Sequence, residues 1–344
     1  MAAGALLGEA GLRLLAPFLG LALRAFVREE AAAWASSSAR VAGGTRLLLR
    51  EADFLTPADV VFVGDSMVFG TLVARGDLFT SRLARERRLR TLNLGVPSAG
   101  PCIYERMLRL ALERLPRPPG LVLYSVFGND FAEPPCGPLH DADLFVWESE
   151  ARRRLSFRLR EARERLFRHC VGYQLFKRYA GFGHLNAGAG YPSLAYDDGR
   201  RAFLFAPPAW WRPQLDITPD APGFERLLAH VVAAHELARR AGSRFAVVLM
   251  PFKEQVHLHE LVALGALPAA SEDPSYDQVY DTLGARLSGF GVEHVDLREP
   301  LRAAARGGAK LYWTLDGHLT PAGHAVVASA LSPLAAAARR PGSP

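Results

Sequence analysis

Thr56-Pro57-Ala58-Asp59-Val60-Val61-Phe62-Val63-Gly64-Asp65-Ser66-Met67-Val68-Phe69-Gly70 is the stretch that decides the fold. Four apolar residues, Val60 to Val63, follow a proline-marked lead-in and stop at Gly-Asp-Ser, the pattern of a buried strand that ends in a sharp turn. Ser66 then stands at the carboxyl end of a central strand, where open α/β sheets hold their ligands. On that support its hydroxyl is exposed, and the amides that follow it are free to face an oxyanion. Serine is equally a favoured helix N-cap, and a Gly-Asp-Ser by itself is a weak motif. The rest of the chain has to decide between these readings.

The same rhythm repeats outward from this stretch. A helix is predicted around Thr80 to Leu89, and Thr91-Leu92-Asn93-Leu94-Gly95 is a short strand running into the Gly/Pro-rich loop Val96 to Pro101. Tyr104 to Leu115 reads as a helix closed by Pro116, and Leu121 to Val126 as a strand ending in the polar turn Phe127-Gly128-Asn129-Asp130. After an interruption, Phe224 to Ala241 is a predicted helix, Arg244 to Met250 a fourth strand, Tyr276 to Ser288 a helix and Val292 to Leu297 a fifth strand. Leu315-Asp316-Gly317-His318-Leu319 precedes Thr320-Pro321, an N-cap followed by proline at the first helical position, so a last helix runs to about Ala338. Strands alternating with helices at this spacing make parallel β-α-β units with right-handed crossovers, and their ends share one edge of the sheet.

Composition narrows the class. The chain has 344 residues, 49% hydrophobic and 22% charged, which fits a globular protein with disorder expected only at Arg339 to Pro344. A net charge of +6 invites nucleic acid as a partner, but only three of the 41 basic residues are lysines and no nucleic-acid module is recognisable, so none is predicted. Cys102, Cys136 and Cys170 lack any C-x-x-C spacing, which argues against a zinc site or a disulfide framework; Cys102 and Cys136 could meet above the sheet edge, but small buried thiols are the expected reading.

Three regions follow: an N-terminal amphipathic helix and linker over 1–46, a domain over 47–335 with an insertion at about 134–223, and a tail over 336–344. From Leu6 to Val27 the longest uncharged run, Leu14 to Leu23, has ten residues, against about 20 needed to span a bilayer. Arg24, Arg28, Glu29 and Glu30 occupy the place where a signal peptide has a neutral cleavage region. Two readings stand: peripheral membrane contact through residues 6–28, or packing on the protein's own body. The sequence leaves the location open between cytoplasmic and membrane-associated. Within the insertion, Leu155, Leu159, Ala162, Leu166 and Cys170 form a helical stripe among many arginines, a solvated basic face in the simpler reading and an anionic-lipid or acidic-polymer contact in the other. Tyr196-Asp197-Asp198-Gly199-Arg200 is a hairpin turn between two short strands. Trp210 and Trp211 are candidates for a substrate-stacking platform, with ordinary packing as the alternative.

Ser66, Gly95, Asn129 and the pair Asp316 and His318 thus project from one sheet edge. Acyl transfer needs these parts. A hydroxyl becomes a useful nucleophile when an imidazole takes its proton, and the imidazole needs a carboxylate to fix its tautomer and stabilise its charge. The amides of Ser66 and Gly95 and the side chain of Asn129 are candidate oxyanion donors. Lys253 and Glu254 follow the fourth strand onto the same edge, as substrate contacts or as an ion pair. His257 and His259 are read in a loop beyond that strand, without the Cys/Asp/Glu cluster a metal site requires. His324, inside the last helix, reads more readily as a packed or capping residue than as the base, for which His318 is the preferred candidate.

The blocks Gly64-Asp65-Ser66, Asn93-Leu94-Gly95, Gly128-Asn129-Asp130 and Asp316-Gly317-His318 resemble, in order, the four sequence blocks of the SGNH/GDSL hydrolases. The resemblance covers about residues 59 to 130 and 244 to 335. It implies a flavodoxin-like three-layer α/β/α fold with a mostly parallel five-stranded sheet, and a triad of Ser66, His318 and Asp316 needing neither metal nor cofactor. Two departures stand out. The third block has Phe127-Gly128-Asn129-Asp130 where the family has Gly-x-Asn-Asp, and the last is Asp-x-His instead of the commoner Asp-x-x-His. The shorter spacing, like Pro251-Phe252-Lys253-Glu254-Gln255-Val256-His257, resembles the branch containing the alginate O-acetyltransferases. The expected function is a serine acyl-ester hydrolase acting on an O-acylated carbohydrate or a lipid-like ester. Its alternatives are acyl transfer to a polysaccharide by the same residues, and a non-catalytic carbohydrate-binding protein on the same frame.

Overall fold

The computed structural model describes residues 25, 29–30, 33, 41–43, 46–132, 145–159, 162, 170, 194–205, 222–271 and 275–338. Its strands are β1 Val41–Gly43, β2 Arg46–Leu49, β3 Val60–Gly64, β4 Thr91–Gly95, β5 Leu121–Val126, β6 Phe145–Trp147, β7 Leu194–Asp197, β8 Ala202–Phe205, β9 Arg244–Leu249 and β10 Glu293–Asp296. The helices are α1 Ser66–Phe69, α2 Phe79–Arg87, α3 Pro101–Arg114, α4 Glu148–Arg153, α5 Pro222–Arg240, α6 His259–Ala263, α7 Ser275–Gly289, α8 Arg298–Arg306 and α9 Pro321–Ala336.

Five parallel strands in the order β10-β9-β5-β3-β4 form the central sheet. Counted from the β4 edge in their own sequence order they run 2-1-3-4-5, the flavodoxin-like arrangement, which puts the switch point at the carboxyl end of β3. Side chains alternate along each strand. Val61, Val63, Leu92, Leu94, Val122 and Tyr124 face a layer made by α3, α5 and α7. Val60, Phe62, Leu121, Leu123, Ala246 and Val248 face α2, α8 and α9. With both faces covered, β3 has no solvent side, and this is why its sequence is an unbroken apolar run instead of an alternating one. Each of its buried side chains contributes about 1.5–3 kcal/mol; a carboxylate at Val61 would abolish the strand. The three-layer architecture expected from the sequence is the one observed.

Differences from the sequence reading have physical reasons. Helix α8 has no counterpart in the sequence reading; its Pro300 lies in the first turn, where proline is tolerated. The segment after β9, read as a loop, is a π-helical turn, Glu254–Leu258, that runs into α6. Its polar residues are buried among charged partners, which local propensity does not register. Val41–Gly43, in the stretch read as linker, pairs antiparallel with β2, and β2 pairs parallel with β6. The predicted hairpin is present as β7 and β8, with Asp197 opposite Ala202.

Cys102 is disulfide-bonded, with the other half outside the described residues, and Cys170 is a free, half-buried thiol. This corrects the expectation of buried thiols at Cys102 in favour of the alternative that it meets another cysteine, a choice the tertiary fold decides and spacing does not. Trp210, Trp211 and most of Leu6 to Val27 also lie outside the described residues. From the N-terminal region, Ala25, Glu30 and Ala33 are described and buried. No described helix is long and apolar enough to cross a membrane.

Candidate active site

The turn after β3 is built locally. Asp65, not Ser66, is the N-cap of α1: its Oδ1 accepts the Met67 amide at 2.8 Å. That answers the capping alternative for Ser66, whose hydroxyl is left for longer-range contact. The single turn of α1 closes on Gly70 at φ 78°, a left-handed conformation that glycine adopts without penalty. Gly64 is paired in register with Gly95 of β4. A Cβ on Gly95 would lie 2.3 Å from the Phe69 amide nitrogen and 2.7 Å from the Val68 carbonyl carbon, so only glycine lets α1 sit on this strand end.

Asn93 ties these pieces together, and the sequence reading gave it no role beyond its block. Its Nδ2 donates to Val68 O at 2.7 Å and to Thr80 Oγ1 at 3.2 Å, while its Oδ1 accepts the Gly95 amide at 2.9 Å. The Gly95 N–H, expected to face an oxyanion, therefore has an internal partner. Asn129 lies in the turn after β5, and its Oδ1 is buried without a partner among the described residues. Asp130 locks that turn by accepting from Tyr104 Oη at 2.8 Å and from the Phe127 amide at 2.9 Å.

The loop before α9 meets the turn from across the fold. His318 Nε2 lies 2.7 Å from Ser66 Oγ. Asp316 Oδ1 accepts the His318 amide at 2.9 Å and also contacts His318 Nδ1, so the Asp-x-His spacing folds into a turn in which one carboxylate oxygen meets both backbone and ring. Asp65 lies behind Ser66, its Oδ2 at 3.4 Å from Oγ. Burial would lower the His318 pKa, but the charge and hydrogen bond of Asp316, with Asp65 and Glu30 behind it, carry it above the ordinary imidazole value. Burial raises Asp65, against the pull of the Met67 amide and the His318 charge.

The other candidates fall elsewhere. Lys253 is buried, and its Nζ donates to the carbonyls of Thr314, Asp316 and Trp313. Glu254 is buried beside it. Neither residue is an exposed group waiting for substrate; Lys253 lies under the loop that carries Asp316. His324 is buried, stacks on Phe79 and accepts the Phe79 amide through Nδ1 at 3.4 Å. His257 is fully buried: Nδ1 lies 3.2 Å from Glu260 Oε2, and Nε2 accepts the Leu311 amide at 3.1 Å. Burial, only partly opposed by Glu260, lowers its pKa, in keeping with a neutral ring that accepts at Nε2.

Residues 205–342 match the family model of the SGNH hydrolase-like domain of acetyltransferase AlgX. No curated protein matches the sequence. Among solved structures, a member of the lipolytic protein G-D-S-L family from Veillonella parvula is similar over 79% of this chain and 94% of its own, at 11% identity and TM-score 0.40. An alpha/beta hydrolase enzyme from the metagenome of Lake Arreo, Spain, is similar over 84% of this chain and 99% of its own, at 14% identity and TM-score 0.38. At those scores the fold rests on strand order and register, not on the likeness.

Proposed function

We propose, for a chain that belongs to the SGNH/GDSL hydrolase family on its AlgX-like branch, that Ser66, His318 and Asp316 act together on an ester carbonyl. The family makes it an esterase or an O-acyltransferase. The observation that carries the assignment of residues is the 2.7 Å approach of His318 Nε2 to Ser66 Oγ.

In this reading Ser66 Oγ bonds to the ester carbon as its proton passes to His318 Nε2. Asp316 accepts from Nδ1 of the imidazolium and holds its orientation. The Ser66 amide and the Asn129 carboxamide receive the oxyanion, the latter through Nδ2 once its terminal amide is turned to present that nitrogen. Gly95 joins them when its amide leaves Asn93 Oδ1. The bond to the alcohol oxygen then breaks, His318 returns the proton to that oxygen, and an acyl-serine remains. Water, activated by the same imidazole, releases the acid and restores Ser66.

The substrate class is an O-acylated carbohydrate or a lipid-like ester. A second reading replaces water by a sugar hydroxyl, and the match to an acetyltransferase domain is what favours it. Hydrolysis of p-nitrophenyl acetate by the full chain, with and without an added polysaccharide, tests both. Ser66→Ala and His318→Ala should each lose at least about a thousandfold in kcat. Acetylated polysaccharide in excess of free acetate would assign transfer; a Ser66→Ala protein as fast as the wild type would overturn both readings.

A further inference from the structure

The loop from Leu311 to Thr320 is short of partners within its own sequence and takes them from distant segments. Within the loop, Trp313 N donates to His318 O, Thr320 N to Leu311 O and His318 N to Asp316 Oδ1, beside the contact of Asp316 with the His318 ring. On one side the Lys253 ammonium reaches three backbone carbonyls, at 3.2 Å for Thr314, 3.4 Å for Asp316 and 3.5 Å for Trp313. On the other, Glu30 Oε1 accepts the Leu315 amide at 2.7 Å. Glu29 Oε2 accepts from Lys310 Nζ at 2.5 Å and from Thr314 Oγ1 at 3.1 Å.

We propose that Glu30 and Lys253 are positioning residues, a buried acid and a buried ammonium that grip the 313–316 backbone and so support the active site from outside it. The inference rests on the assignment of Ser66, His318 and Asp316 given above. An ammonium offers three donors from one point, and here three carbonyl oxygens converge on it. A carboxylate offers only acceptors, and here it takes the Leu315 amide of the same stretch. Both bonds are charge-assisted, and so stronger than neutral ones. Both groups are nine-tenths buried or more, Glu30 at 0% and Lys253 at 3% exposure. Lys253 feels the charge of Glu254 first and those of Glu30 and Asp316 after it, so the buried ammonium of this clasp is held among carboxylates on both sides of the loop. Asp316 lies at the edge of the gripped stretch, two residues before the ring it orients. A shift of about 1 Å at a reacting group is enough to cost about a hundredfold in rate.

Buried charge pairs are weak evidence for stability as such, so the test reads rate and hydrogen bonding, not melting alone. In the full chain, Glu30→Ala and Lys253→Met should lower kcat for p-nitrophenyl acetate about a hundredfold with KM unchanged. Both should also broaden or shift the far-downfield proton resonance of the His318 Nδ1–H bonded to Asp316. Folded Glu30→Ala protein with wild-type kcat and an unchanged resonance would overturn the proposal.

Should Glu30→Ala or Lys253→Met fail to fold, Glu30→Gln decides, because it keeps an acceptor for Leu315 and removes only the charge. The charged groups around His318 are Asp316 on its own loop, Asp65 before α1, Glu30, and Lys253 through the Asp316 carbonyl. Removing the Glu30 charge should move the acid limb of kcat/KM to lower pH, and an unmoved limb would contradict the clasp. Ser66→Ala run alongside separates the two claims. If it stays active, the assignment of the reacting residues fails, while the resonance still reports on the loop.

Discussion

The two sides of the site are built by opposite means. The turn that carries Ser66 is made from its own neighbourhood: Asp65 caps α1, Gly70 ends it, and Asn93 of the adjacent strand fastens it through Val68. The loop that carries Asp316 and His318 is held from afar, by Glu30 at a separation of 285 positions from Leu315, by Ala202 of the hairpin, and by Lys253 and His257 beyond β9. A locally built element is rigid and its sequence announces it. A remotely held one depends on the whole fold, so damage to distant segments should reach catalysis through it first.

The largest effect that would break or sharpen this contrast is expected at the loop. Asp316→Asn should lower kcat by about ten-thousandfold while leaving the fold intact, because an amide can hold the wrong imidazole tautomer. Steady-state kinetics checks this, and a loss of less than tenfold would remove Asp316 from the reaction.

Next comes the local side. Gly95→Ala drives a methyl group into the Phe69 and Val68 backbone, which cannot yield as a flexible side chain would. About 1–3 kcal/mol of stability should be lost, together with most activity; urea unfolding and turnover measured on one preparation read both. Asn93→Ala leaves the Val68 carbonyl and the Gly95 amide without their partner, at about 1–3 kcal/mol. If the Gly95 amide serves the oxyanion only after leaving Asn93, that variant should lose more stability than rate.

Smaller shifts concern pH. His318 must be neutral to act as base, and its pKa is raised, so the acid limb of kcat/KM should lie above the ordinary value of about 6.5. For stability the same raised pKa means a contribution fully present below about pH 6.5 and lost as pH rises through the folded value. His257 runs the other way. Its pKa is lowered, so its contribution is present above about pH 6.5 and lost as pH falls toward the folded value. Denaturation across this range in the wild type and His257→Gln should show a smaller acid loss in the variant; equal losses would relieve His257 of the role. The mildest test is a thiol count on denatured, unreduced protein, where a disulfide at Cys102 and a free Cys170 predict one reactive thiol of the chain's three.

What could be read in advance follows the same division. Val60 to Val63 and the Gly-Asp-Ser stop are local signals, and they led to the central strand and the place of Ser66 at its end, while the flavodoxin-like arrangement of the sheet came from the resemblance carried by the four blocks. That Asp316 and His318 come near Ser66 was expected from the resemblance of their block, and the following Thr-Pro cap marked the helix it precedes. The support of that loop was not legible. Glu29 and Glu30 read as charges that spoil a signal peptide, and nothing around them marks a partner near residue 315. Lys253 read as an edge residue because its strand end was correctly located. Whether an ammonium turns outward to substrate or inward to carbonyls is decided by what packs beneath it.

The measurement that bears most directly on the account is mass spectrometry of the full chain quenched early in its reaction with an acetyl ester, followed by peptide mapping. An acetyl group on the hydroxyl of Ser66, present in the wild type and in reduced yield in Glu30→Ala, is the predicted result. An acetyl group on another residue, or equal labelling in Ser66→Ala, would contradict it.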